Sequence, residues 1–163
     1  MKVAFYNNQR DANPWPADLS WEDLVEVLSN HQERCSADSC PGRECPGKDG
    51  KAWSPVDIEG RRSNANVRFV SLFVADLDHC SAEERDSAEQ RAEQLGLAFV
   101  LHSTHGNLLG GPEDGGYRLV VPLSRPATPD EYRRIRPVLI ELLGLRADPA
   151  CKDAARLYFL PTA

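Results

Sequence analysis

An α+β fold built on a β-α-β-β-α-β core is the architecture the sequence predicts, from three observations. From residue 67 onward, apolar runs rich in Val and Phe alternate with two helices, each with its own start and stop signals. The runs "LAFVLHST" and "YRLVVPL" are separated only by the glycine-rich "HGNLLGGPEDGG", which marks a hairpin. The preceding residues hold one helical pattern and a long segment without periodicity. They read as an accessory region, 1–66, packed as one unit with a core domain, 67–163.

"VAFYNN" near the start reads as a short strand. "SWEDLVEVLSNHQER", 20–34, reads as a helix capped by Ser20, with Trp21, Leu24, Val25, Leu28 and His31 at helical spacing. Residues 35–66 are rich in Cys, Gly, Pro, Ser and charge, and a stretch that long needs a support or a function. "VRFVSLFVADL" is a strand. "SAEERDSAEQRAEQLG", 81–96, is a helix with Ser81 and Glu84 as a capping box and Gly96 as its stop. "TPDEYRRIRPVLIELLG", 128–144, repeats the pattern with Thr128, Pro129, Glu131 and Gly144. "RLYFLP" supplies the last strand.

This order is the ferredoxin-like or split βαβ motif. It pairs the first strand with the third, the second with the third and the fourth with the first. One rim then gathers Asp76 and Asp78 from the end of the first strand, Ser103 and His105 from the second, Tyr117 and Arg118 from the start of the third, and Arg156 from the fourth. Asp148, Lys152 and Asp153 sit just before that last strand.

Composition bounds what such a rim can do. The chain has 163 residues, 41% hydrophobic and 27% charged, which is ordinary for a globular protein. No apolar stretch reaches the roughly 20 residues of a membrane helix, and "MKVAFYNNQRD" has no signal-peptide pattern, so the expected location is the cytoplasm. Five cysteines without an export signal favour metal binding or burial over disulfides. A net charge of −6 excludes broad, sequence-independent adhesion to nucleic acid but leaves room for a local basic groove.

Side chains two apart on a strand share a face, so Asp76 and Asp78 converge. Paired carboxylates suit Mg²⁺ or Mn²⁺, which take oxygen ligands and keep positions for water and phosphate. Arg118, Lys152 and Arg156 suit phosphate oxygens, and His105 suits a phosphate contact or proton transfer. Acids for metal beside bases for phosphate is the arrangement nucleotidyl transfer needs. Arg61, Arg62 and Lys51 in the long loop are candidates for lining a DNA cleft, with a solvated basic loop as the alternative. Asp148 precedes a proline and also fits a simple turn.

"FVADLDH" resembles the DxD motif, "STH" at 103–105 the sxH motif, and "DPACKDAARLYFLP" the third acidic motif of the archaeo-eukaryotic primase superfamily, in particular the primase-polymerase domains of phages, plasmids and mobile elements. "YRLVVPLSRPATPDEYRRI" resembles the segment joining the second and third motifs. The resemblance covers 67–161 and, more loosely, "KAWSPVDIEGRRSNANV". It implies a palm of RRM-like topology that joins NTPs or dNTPs on a single-stranded DNA template, extending a primer strand, with two divalent cations. Asp76, Asp78 and Asp148 would hold the metals, with Asp153 as the alternative third acid. Ser103 and His105 would contact the incoming triphosphate, and Arg156 phosphate or template. It also implies a place in a larger replication protein, with a helicase domain or partner.

"HQERCSADSCPGRECPG" sets His31, Cys35, Cys40 and Cys45 at spacings of four, five and five. Four such ligands make a structural Zn²⁺ site that would order this segment, and reduced thiols are the competing reading because the paired CxxC knuckle is missing. Cys80 and Cys151 read as packing residues. Two other functions compete. A Toprim-like metal enzyme is favoured by "IEG" at 58–60 before the DxD. An RRM-type single-strand binder needs exposed aromatics on its central strands, and Phe69 and Phe73 fall on the face opposite Asp76 and Asp78.

Overall fold

In the computed structural model, the described residues are 1–31, 45–105, 115–146 and 153–161. They form two antiparallel sheets and three helices, the α+β class the sequence predicts. Residues 1–66 contribute β1 (Lys2–Tyr6), β2 (Trp15–Asp18), α1 (Trp21–Ser29), β3 (Ala52–Ser54) and β4 (Val56–Ile58). Residues 67–161 contribute β5 (Val67–Cys80), α2 (Ala82–Gln94), β6 (Val100–Ser103), β7 (Gly115–Ala127), α3 (Pro129–Leu142) and β8 (Tyr158–Phe159).

The helix starts form for the reason their sequences announce. Ser20 with Asp23, Ser81 with Glu84 and Thr128 with Glu131 each close a reciprocal capping box, so backbone donors of the first turn find side-chain acceptors. Gly96 and Gly144 follow α2 and α3 at φ +65 and +64, the left-handed conformation that ends a helix.

β5 is the spine. Its alternate residues serve two cores: Phe73, Ala75 and Leu77 join a cluster with Ala88 and Ala92 of α2 and Tyr132 of α3, whereas Leu72 and Val74 join one with Leu24 and Leu28 of α1, Trp53 and Tyr158. Burial on both faces explains why this strand reads as a continuous apolar run.

The core sheet runs β4-β5-β7-β6, so the first, third and second strands of the core pair as expected. The fourth does not pair with the first. β4 occupies that edge, with Val56 opposite Val70 and Asp57 opposite Phe69. β8 instead joins the other sheet, ordered β2-β1-β3-β8, with Trp53 opposite Tyr158. Two contacts explain the choice: the Trp53 and Tyr158 rings lie 5.9 Å apart, and Arg118 Nη1 donates to the Phe159 carbonyl at 2.8 Å. No helix among the described residues is long and apolar enough to cross a membrane.

Candidate active site

The register of the core sheet puts three polar residues in one row across three strands: Asp76 of β5 faces Arg118 of β7, which faces His102 of β6. They lie on the same sheet face as Val74, Val100 and Val120, next to the α1 core, so apolar side chains wall them on one side. One step toward the rim, Leu77, Tyr117 and Ser103 form the next row.

Arg118 organises the site. Its Nε donates to Asp76 Oδ1 at 2.6 Å, with the two side chains only 8% and 11% exposed. Its guanidinium also sits 4.8 Å from the Tyr158 ring centroid, a cation–π distance. The arginine expected to face phosphate is therefore turned to Asp76, Tyr158 and Phe159. Its charge-assisted bond to the carboxylate is of the short, strong kind.

His102 is the residue that sequence reasoning missed. It is 5% exposed, its Nδ1 lies 2.9 Å from the Ser103 carbonyl, and burial, reinforced by the Arg118 charge, pushes the imidazole down to about 4. The ring is thus neutral near pH 7. An imidazole nitrogen bonded to a carbonyl must carry the proton, which makes Nε2 the acceptor nitrogen. That Nε2 is buried without a hydrogen-bond partner among the described residues. Its signal was a lone polar residue in an apolar strand, in phase with Val100.

The two aspartates have different environments. Asp76 is buried, whereas Asp78 is exposed and lines a cleft of about 270 Å³ with His79, Glu83, Glu84 and Arg146. The strand does not stop at the DxD. A bulge between Leu77 and Cys80 carries it on, with His79 at φ 55, a conformation few non-glycine residues adopt. Arg146 donates to Glu84 at 2.9 Å across the cleft wall. Burial pushes the Cys80 thiol up, as expected of a packing residue.

Ser103 ends β6 at this rim, and His105 follows two residues on. Thr104 donates its backbone N–H to the Gly116 carbonyl at 2.8 Å, which fixes the turn between them, and His105 is 5% exposed. Ser103 Oγ lies 3.3 Å from His31 Nε2, and His31 Nδ1 lies 3.2 Å from the Ser29 carbonyl. The histidine ending the α1 segment thus reaches the serine of the rim, with both of its ring nitrogens engaged. Cys45 is buried; Cys35, Cys40 and Cys151 lie outside the described residues.

Asp148 and Lys152 also lie outside the described residues. Arg156 is half-buried, and with Arg62 it lines a second, open cavity whose wall includes Phe159. Arg61 is exposed. Among the described residues no group of three or more His, Cys, Asp or Glu side chains could hold a metal ion. Asp76 and Asp78 supply hard oxygen donors, the right chemistry for Mg²⁺ or Mn²⁺; of the two candidates for a third acid, Asp148 lies outside the described residues and Asp153 accepts from Asn64 Nδ2 at 3.2 Å.

The model of the VapE N-terminal domain family matches residues 56–163, about two thirds of the chain. No curated protein matches. Among solved structures, the AEP domain of the primase-polymerase of cyanophage S-2L superposes with a TM-score of 0.51 at 14% identity, covering 98% of this chain and 72% of that one. At that identity the likeness is one of fold.

Proposed function

Because the chain belongs to the VapE N-terminal domain family and shares its fold with a primase-polymerase domain, we propose that it is a nucleotidyltransferase domain of the primase-polymerase type. The observation that carries this reading is the row Asp76, Arg118, His102, with Ser103 in the next row toward the rim. Residues from three strands meet there, in a fold shared with a primase-polymerase domain.

In this reading Asp76 and Asp78, with Asp148, hold two divalent ions, which supply charge for the attacking and leaving oxygens when bound. Arg118 fixes the orientation of the Asp76 carboxylate, so that one donor set is preorganised before substrate arrives. Ser103 and His105 contact the triphosphate. Arg156, Lys152, Arg61 and Arg62 contact phosphate or template, and a primer strand and a downstream helicase are the expected partners. A zinc ion held by His31, Cys35, Cys40 and Cys45 needs the imidazole to release either Ser103 or Ser29.

The binding-module alternative keeps one of its two aromatics: Phe73 is fully buried against the α2 and α3 cluster and offers no face for base stacking, whereas Phe69 is 39% exposed. The test is incubation with a single-stranded template and labelled NTPs or dNTPs in Mg²⁺ or Mn²⁺, with and without primer. Extension is expected, and Asp78→Asn should lower it at least a hundredfold. No product with either nucleotide class would overturn the proposal.

A further inference from the structure

At the rim a serine and a histidine stand as a nucleophile stands to its base. Ser103 Oγ lies 3.3 Å from His31 Nε2, and His31 Nδ1 lies 3.2 Å from the Ser29 carbonyl. A carbonyl only accepts, so in the neutral ring Nδ1 carries the proton and Nε2 is the acceptor. The Ser103 hydroxyl is then the donor of the bond that joins the pair. A hydroxyl bonded to a base that a third group orients is the arrangement that activates a serine.

Both members are held by their elements. Ser103 faces Tyr117 in the ladder, and the backbone bond of Thr104 to the Gly116 carbonyl fixes the residue after it. His31 follows α1, whose Leu24 and Leu28 are fully buried in the cluster that also holds Val100 of β6. The base therefore comes from a segment ahead of residues 56–163, which the family model matches. Ser103 is half-buried and His31 exposed, so an electrophile can reach the Oγ. The hydroxyl has one proton to give. While that proton is directed at His31, Ser103 presents only lone pairs to a bound molecule and cannot also donate to a phosphate oxygen. Lone pairs suit attack on phosphorus.

We infer that Ser103 is a nucleophile, activated by His31, that takes a nucleotidyl group from a nucleoside triphosphate. The inference rests on the nucleotidyl-transfer reading and adds a self-modification site to it. Oγ attacks the α-phosphorus and its proton passes to His31 Nε2. The bond from the α-phosphorus to the oxygen bridging to the β-phosphorus breaks, pyrophosphate leaves with the electron pair, and His31 hands it the proton. The product is a serine nucleotidyl ester, and no oxidant, reductant or further reactant is needed.

The experiment incubates the full chain, without template or primer, with ribo- and deoxyribonucleoside triphosphates radiolabelled at the α-phosphate, and in parallel at the γ-phosphate, in Mg²⁺ or Mn²⁺. The α-label should stay on the denatured protein and the γ-label should not, and peptide mass spectrometry should place one nucleoside monophosphate on Ser103. Ser103→Ala should abolish the label. His31→Ala should slow labelling about a hundredfold at saturating nucleotide, the share of a general base. Should Ser103→Ala disturb folding, the mapped parent and His31→Ala carry the test. A fluorophosphonate probe, which needs no nucleotide site, is the second arm: it should phosphonylate Ser103 with loss of fluoride, more slowly in His31→Ala. Primer extension by a parent that carries no α-label on Ser103 would overturn the inference and leave the enzymatic reading standing, and so would an undiminished labelling rate in folded His31→Ala. If the protein neither extends a primer nor takes the α-label, the nucleotidyl-transfer reading falls and the fluorophosphonate decides alone: His31-dependent reaction at Ser103 keeps the nucleophile, and no reaction removes it.

Discussion

Replacing Asp76 by alanine tests the physical reasoning most directly, because two effects of the change separate. The carboxylate is 2.6 Å from Arg118 Nε and both side chains are nearly sealed from water. Removing one partner of such a pair leaves a buried charge without its counter-ion, a change that costs about 3–5 kcal/mol. For a chain of this size each kcal/mol lowers Tm by about 2–4 °C, so the expected fall is about 6–20 °C. Asp78→Asn is the control, since Asp78 is exposed and its replacement should alter stability by no more than about 0.5 kcal/mol. Thermal unfolding followed by circular dichroism reads both. A double variant, Asp76→Leu with Arg118→Met, should recover much of the loss, because an apolar pair of similar volume does not leave a charge stranded. An Asp76→Ala protein melting within about 2 °C of the parent would refute the claim that this pair is buried and interdependent. The same numbers explain why loss of activity in Asp76→Ala is weak support for catalysis, and why Asp78→Asn is the cleaner probe.

The buried His102 makes stability depend on pH in a definite window. Its folded value of about 4 lies below the ordinary 6.5, so the unfolded chain takes up a proton first as pH falls, and stability drops between about 6.5 and 4. The full loss is about 3 kcal/mol, of which about 2 appears by pH 5; urea unfolding should show this in the parent and a flatter profile in His102→Gln, and parallel profiles would refute it. Carboxylates held low by their partners, such as Glu131 at about 2 beside Arg125, lose their contribution only at more acid pH. His31→Ala tests the contact to Ser103: KM for the nucleotide should rise, and metal analysis finding zinc in the parent that the variant has lost would assign the ring to a metal instead. Gly144→Ala should cost about 1 kcal/mol by chemical denaturation through φ +64 alone, because no atom lies within 4 Å of the added Cβ.

Much of this was legible in the sequence where local rules act alone. Two of the three capping boxes needed only Ser or Thr followed three residues later by Glu, Ser20 was read as a cap without its return partner Asp23, and the apolar continuity of 67–77 reported a strand. The row through Arg118 was foreseen in outline because the strand order fixes which ends share a rim. Its detail was not. Whether Arg118 points to phosphate or to Asp76 depends on burial, which no local pattern encodes. His102 went unread in its apolar strand because its meaning lies in the residue across the ladder. The partner of the last strand was illegible for the same reason: a two-residue strand has almost no preference of its own, and the Trp53 ring and the Arg118 guanidinium settle its place.

That placement of Tyr158 and Phe159 against Trp53 bears on how the protein emerges from the ribosome. The sheet containing β1 gains its outer member from β8, which pairs with β3 only after the whole β4-β5-β7-β6 sheet has intervened in the chain, so a long loop has to be closed. Such distant pairings are slow to form, since chain entropy is spent before any contact repays it. Until β8 has emerged, the outer edge of Ala52–Ser54 stands open and Arg118 lacks two of its three partners, which makes the interval before its emergence the one in which this fold depends most on protection from association.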